Sequence, residues 1–258
     1  IIPVALTRSA QPAPITIVTF KPVQLFHAAP VGLVASLIVG VAIGAFFGLG
    51  PISATGSGLD VSDVALFMSA ATFAGALAQW PVGRLSDRID RRLVLLALLM
   101  GAAVTGVLLW LLAASGVLLM VFGLLFGATA LPCYSLAAAH AYDKTPTSEL
   151  VPTAATILLA NALGAAAGPL LASFVMTALE PRALFLFTAC VHGLLAAYII
   201  YRISVQPSLS TAEKADFDLV ATAPVGAIVT GEPDTSDPFV IMPGNYTPTL
   251  DDDDATIR

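Results

Sequence analysis

Charge in this chain is concentrated in one short run: Gly83, Arg84, Leu85, Ser86, Asp87, Arg88, Ile89, Asp90, Arg91 and Arg92. Four of the eleven Lys and Arg residues lie there. Asp87 can accept from Arg91 or Arg92, and it can also face the positive N-terminal end of another helix. Such a contact holds in one arrangement of helices and breaks in another, so it can act as a latch. The four arginines can equally serve to fix which side of a membrane the run faces, and the two readings are compatible. Gly83 lets the end of one helix approach a neighbour closely. Asp90 is expected to permit a tight turn, because Asp tolerates left-handed backbone better than most residues.

Nucleophiles and metal ligands are sparse. Ser57 lies in Gly56-Ser57-Gly58, outside any apolar run and with no His placed to serve it from the same side, which weighs against an intramembrane serine hydrolase. Cys133 and Cys190 both fall inside apolar runs, so neither a disulfide framework nor a CxxC metal site is suggested. Both are expected to be buried as small apolar residues. Nothing pairs His140 with His192 as metal ligands, and His192 reads as a packed polar residue. No metal and no cofactor are expected, and no enzyme activity.

Composition sets the environment. The chain is 57% hydrophobic and 11% charged, with a mean hydropathy of +0.90, which excludes an ordinary soluble domain. The net charge of −6 belongs to the end of the chain: residues 203–258 carry ten acids against Lys214 and Arg258. Nucleic-acid binding has no support. The chain begins with Ile1 and lacks the charged-then-apolar form of a signal peptide, so it is expected to be part of something longer.

The elements that must hold the charged run follow from the apolar stretches around it. Spans are expected at about 31–50, 62–82, 93–113, 117–142, 151–179 and 183–201. About twenty residues rise roughly 30 Å as a helix, enough to cross a bilayer. Gly40, Gly44 and Gly48 repeat every fourth residue in the first span, as Ala160, Gly164, Gly168 and Ala172 do in the fifth. Both are small-residue faces suited to close helix packing. Pro132 is expected to kink the fourth span. Pro51 to Asp60 reads as a Gly- and Ser-rich loop, and Ser115-Gly116 as a short turn. Residues 1–29 read as a polar connecting segment. Within it, Pro22 to Ala29 is expected to form a short helix at the membrane surface, with Leu25 and Phe26 dipping inward. Residues 30–202 form the six-helix bundle. Residues 203–258 are expected to be an acidic tail with little fixed structure.

The pattern G-x-x-x-D-R-x-x-R-R, between the second and third spans, resembles the signature loop of the major facilitator superfamily (MFS). Gly83, Asp87, Arg88, Arg91 and Arg92 match it, and Asp90 stands where the family usually has Gly. Six spans with this loop after the second resemble the C-terminal half of such a transporter, most nearly the poorly characterised YcaD-like bacterial branch. The resemblance covers residues 1 to about 205. It implies an all-α membrane protein whose six transmembrane helices form a 3+3 inverted repeat, and residues 1–29 would then be the cytoplasmic loop between halves. It implies transport of a small solute by alternating access, and partners in the lipid bilayer and an N-terminal six-helix half, in the same chain or a separate one. It also implies one half of a solute cavity, for which Tyr134, Ser135, His140 and Asn161 are candidate polar contacts. Phe46 and Phe47 are candidate apolar lining. For each, simple helix packing is the competing reading. No Asp, Glu, Lys or Arg lies mid-span, so any coupling carboxylate is expected in the other half. A non-transporting scaffold and one half of a split transporter are the alternative functions.

Base distribution orients the chain. With both ends cytoplasmic, at a bacterial inner membrane, the inner segments hold Arg8, Lys21, Arg84, Arg88, Arg91, Arg92, Lys144, Arg202, Lys214 and Arg258, against Arg182 outside. An impermeant thiol reagent applied to intact cells is therefore expected to label Ser57→Cys and to spare Ser86→Cys. The reverse result would invert the topology.

Overall fold

The computed structural model of the chain describes residues 20–112 and 116–205. Expectations for residues 1–19, for Ser115 and for the acidic tail beyond residue 205 fall outside them. The described residues are helical, with no strand among them. A short α1 (Pro22–Ala28) leads into α2 (Pro30–Gly56), α3 (Val61–Arg88) and α4 (Arg91–Leu112). These are followed by α5 (Gly116–Ala130), α6 (Cys133–Tyr142), α7 (Leu150–Ala178) and α8 (Ala183–Val205). Six helical segments are long and apolar enough to cross a membrane, α5 and α6 together counting as one. In hydrocarbon the backbone finds no water, so each crossing must satisfy its own N–H and C=O groups, and a helix does so.

Local chemistry sets the helix ends. Pro22 and Pro30 each stand at a first helical position, where the missing N–H costs nothing. Asp60 caps α3: its Oδ1 accepts from the Asp63 N–H at 2.8 Å and from the Ser62 hydroxyl at 2.8 Å. Those two contacts hold the Asp60 carboxyl below its ordinary value. Most of the buried hydroxyls inside the spans bond back to their own helix, as Ser36 does to the Gly32 carbonyl at 2.8 Å and Thr105 to that of Gly101 at 2.7 Å; Ser53 Oγ has no such partner. The bonded hydroxyls therefore leave little polar demand in the apolar interior.

Two boundaries differ from the sequence reading. Pro51 does not begin a loop; α2 runs through it to Gly56. Ser53 and Ala54 are fully buried, Thr55 Oγ1 donates to the Pro51 carbonyl at 2.9 Å, and packing against Pro181 leaves no room for a side chain at Gly56. Tertiary packing thus outweighs the Gly/Ser-rich composition. Pro132 does more than kink the fourth span. The helix is interrupted at Leu131-Pro132, and α6 restarts at Cys133. Proline cannot donate to the carbonyl one turn back, and its ring crowds that carbonyl.

The packing obeys an exchange rule. The first triplet of spans is α2, α3 and α4; the second is α5–α6, α7 and α8. α2 packs on α7 as α3 packs on α5, α4 packs on α5 as α2 packs on α8, and α4 packs on α8. Swapping the triplets leaves this pattern unchanged, which is the signature of two repeats related by a two-fold axis. At the α2–α7 crossing the small faces interlock. A Cβ on Gly40 or Gly44 would fall on the backbone of Asn161 or Ala165, and one on Gly164 or Gly168 would fall on the backbone of Leu37 or Val41. Gly48 faces the Pro169 ring. The second crossing repeats the device with Gly127 against the Ala71 backbone and Gly123 against Phe67. Four rings from four different spans, Phe46, Phe67, Phe126 and Phe185, form the core between them, with neighbouring centroids 5.3–6.3 Å apart.

Gly44→Leu is expected to force α2 from α7, at a cost of about 1–3 kcal/mol or more. A lowered thermal midpoint of the detergent-solubilised chain would report it; an unchanged midpoint would show that the crossing yields.

Candidate functional site

The charged run is less of a loop than its composition suggests. α3 continues through Arg88, so Gly83 to Arg88 are helical and the turn is confined to Ile89 and Asp90. No residue other than glycine has a positive φ among those described, so Asp90 does not use left-handed backbone. It caps α4 instead: Oδ1 accepts from the Arg92 N–H at 2.9 Å, and the Asp90 carbonyl accepts from the Leu93 N–H at 2.9 Å. An N-cap needs a short side-chain acceptor, which Asp supplies and Gly lacks. Arg92 folds over the same carboxylate, with Nη2 at 2.9 Å from Oδ2. Burial alone would raise the Asp90 carboxyl, but the hydrogen bonds and charge of Arg92 outweigh it and hold it below its ordinary 3.8. The stability this pair contributes is therefore full at neutral pH. It is lost only as pH falls through 3.8 towards the lower folded value.

Arg91 is the centre of the site. Its side chain is 1% exposed. Nε donates to Asp143 Oδ2 at 2.7 Å, Nη1 reaches the Ser86 hydroxyl at 3.2 Å, and Nη1 lies 3.2 Å from Asp87 Oδ1. Asp143 is the residue that sequence reasoning missed. It directly follows α6, and its side chain is 2% exposed. One guanidinium thus ties the end of α3, the start of α4 and the end of α6, elements 52 residues apart in sequence. A signal was present: after Arg92, Asp143 and Glu149 are the acids on this side of the bundle before the tail. The expectation that Asp87 meets Arg91 or Arg92 resolves to Arg91. Asp87 Oδ1 is buried yet has no aligned hydrogen bond.

The remaining members of the run point elsewhere. Arg88 is exposed. Arg84 lies over the Trp80 ring, 3.9 Å from its centroid, a cation–π contact at a helix end. Gly83 is buried, and its carbonyl accepts from the Ser86 hydroxyl at 2.7 Å. Ser86 is itself fully buried, so Arg88 replaces it as the accessible position for thiol labelling.

The cavity candidates sit in different packing surroundings. Phe46 is buried in the four-ring core, while Phe47 beside it is 47% exposed. Tyr134 packs with a separate cluster around Val31, Ala35, Leu136 and Leu195. Ser135 and His140 are buried in α6. Asn161 sits at the α2–α7 crossing, where Nδ2 donates to the Ser36 carbonyl at 3.0 Å. His192 is buried, with Nδ1 bonded to the Thr188 carbonyl and its ring edge-on to Phe126. Cys133 is buried as expected, but Cys190 is exposed on α8. It lines a groove between α4 and α8, with Val104, Val107 and Leu108 opposite.

Two interlocked helix triplets of membrane-crossing length, clasped at one end by a buried arginine between two aspartates, are the architecture of a polytopic integral membrane protein. The Major Facilitator Superfamily family model matches residues 31–241. The chain belongs to that superfamily. It is 28% identical over 188 residues to an uncharacterised MFS-type transporter of Enterobacter sp. (strain 638), covering 72% of this chain and 48% of that one. To the uncharacterised transporter YcaD of Salmonella typhi it is 27% identical, over 70% of this chain and 46% of that one. To one from Yersinia pestis (strain Pestoides F) it is 31% identical, over 63% and 42%. The chain thus spans about half the length of the curated relatives it matches.

Asp143→Asn leaves a buried guanidinium short of a charge. It is expected to destabilise the bundle by about 3 kcal/mol, read as a lowered midpoint in thermal unfolding. An unchanged midpoint would mean that Asp87 and Ser86 alone hold Arg91.

Proposed function

We propose that this chain is the C-terminal half, helices 7 to 12, of a secondary transporter that moves a small solute by alternating access. Both chain termini would face the cytoplasm at a bacterial inner membrane. The N-terminal half, in the same or a separate chain, would supply the other wall of the cavity and any coupling carboxylate. In support, the chain belongs to a transporter superfamily and matches about half the length of its relatives.

The observation that carries a moving role for the charged run is the state of Asp87. Arg91 has a closer and better-aligned carboxylate in Asp143, so it does not depend on Asp87. Asp87 keeps a buried carboxylate oxygen without an aligned donor. A helix N-terminus presented by the other half would satisfy that oxygen in one conformation and leave it in the other. Gly83, Arg88, Arg91 and Arg92 would then form the frame of the latch, with Asp87 as its movable contact. Phe47, Tyr134 and Asn161 are the cavity candidates with surface left outside the packed core.

The experiment is reconstitution in liposomes, assayed against a broad solute panel. Residues 1–258 alone are expected to move no solute, and saturable uptake is expected once an N-terminal half is co-expressed. Asp87→Asn in the paired protein is expected to slow uptake at equal membrane abundance. Uptake by the chain alone would overturn the half-transporter reading. Uptake indifferent to Asp87→Asn would reduce that residue to a marker of topology.

A further inference from the structure

The segment before the first span has one face that the bundle uses and one that it does not. Lys21 Nζ contacts both carboxylate oxygens of Glu149 at 3.0 Å, and its backbone N–H donates to Thr156 Oγ1 at 3.3 Å. Leu25 is 4% exposed and packs with Ala29, Ala138, Ala141 and Ile157. The sequence reading sent Leu25 into the membrane; the structure sends it into the protein, between α6 and α7. Phe20, Val23 and Phe26 are left 51%, 69% and 48% exposed. Val23 and Phe26, three apart, share a side of α1. Three large apolar side chains on so short a segment are not an isolated exposed residue; they need a cover.

The depth of α1 identifies the cover. It lies beside the last turn of α6 and the first two turns of α7, from Glu149 to Ile157. α7 has 29 residues, a rise of about 43 Å. That exceeds the ~30 Å hydrocarbon core and matches the core plus its headgroup layers. The first two turns of α7 therefore stand in a headgroup layer, and α1 stands with them. Ala29 alone separates α1 from the membrane-crossing α2, so α1 cannot leave that level.

We propose that α1 is a bilayer-surface anchor: Lys21 and Leu25 clamp it to the bundle while Phe20, Val23 and Phe26 enter the headgroup–acyl boundary. A free seven-residue helix would bind lipid poorly. This one needs little affinity of its own, since its tether to α2 keeps it at the surface. The anchor fixes how deep this end of the bundle sits, and it rides with the bundle because its ion pair is to α7's own entry turn. The inference rests on membrane insertion alone and stands whether or not the chain transports.

The test uses the full chain with Cys190→Ser, leaving the buried Cys133 in place. Single cysteines at Val23, Phe26, Ser148 and Leu163 carry an environment-sensitive fluorophore in phosphatidylethanolamine–phosphatidylglycerol vesicles. Ser148, in the exposed turn before α7, is the water reference, and Leu163, exposed mid-span on α7, is the deep reference. At Val23 and Phe26 the emission is expected to be blue-shifted from that at Ser148. It is expected to be quenched more by phospholipid brominated near the headgroup than by phospholipid brominated at the chain end, with the order reversed at Leu163. Three results would overturn the proposal. Emission at Phe26 matching Ser148 would place the face in water. Quenching by chain-end bromine alone would place it too deep. Protection from both lipid bromine and aqueous iodide would mean that a second copy or another protein covers it.

Discussion

The bundle depends on the approach of α2 and α7 to backbone contact. In lipid there is no hydrophobic force to draw two apolar helices together, because the tails outside are as apolar as the side chains within. What remains is close packing, and that requires surfaces without side chains. Gly40, Gly44, Gly164 and Gly168 provide one: each occupies a place where a single methyl group would collide with the opposite backbone. Asn161 adds the directional contact at the same crossing, donating to the Ser36 carbonyl. The equivalent crossing of α3 on α5 relies on Gly123 and Gly127. With the two crossings fixed, four phenylalanines from α2, α3, α5 and α8 meet between them, and α4 packs on α8.

Charge is excluded from this interior and gathered at its ends, where it does two different jobs. Arg92 and Asp90 are local. They cap α4 and tighten the turn, and a two-residue connection between long helices requires little else. Arg91 acts at a distance. It is nearly as inaccessible as a core leucine, yet charged, a state made tolerable by its hydrogen bonds to Asp143 and Ser86, with Asp87 beside it. The chain thereby fastens the second triplet to the first at the end where its bases are concentrated. Lys21 and Glu149 place a second ionic contact on the same side, holding α1 to the entry of α7. Two ionic contacts on one rim and glycine crossings through the middle hold the two triplets together.

The division between what the sequence determined and what the tertiary structure decided follows the range of the physics involved. Crossing a bilayer is a property of a single segment. Length, hydropathy and the need to satisfy the backbone are all readable locally, so the six spans, the glycine faces and the charged turn were legible residue by residue. Membership of the superfamily was legible too, because its signature is ten contiguous residues. Helix ends were less so. Pro51 looks like a breaker until Ser53, Ala54 and Gly56 find a packed neighbour, and Asp90 looks like a left-handed turn residue until the start of α4 needs its carboxylate as a cap. The partner of Arg91 was legible only as one of two acids, Asp143 or Glu149. Asp143 is one acid at the end of a span, with nothing in its neighbours to single it out, and only the fold brings it to 2.7 Å from a guanidinium 52 residues away. Leu25 shows the same limit: its apolar character said that it must leave water, but whether lipid or protein would receive it was decided by where α6 ends and α7 begins. A sequence states what each residue must escape or satisfy; the packing of distant elements decides which partner does so.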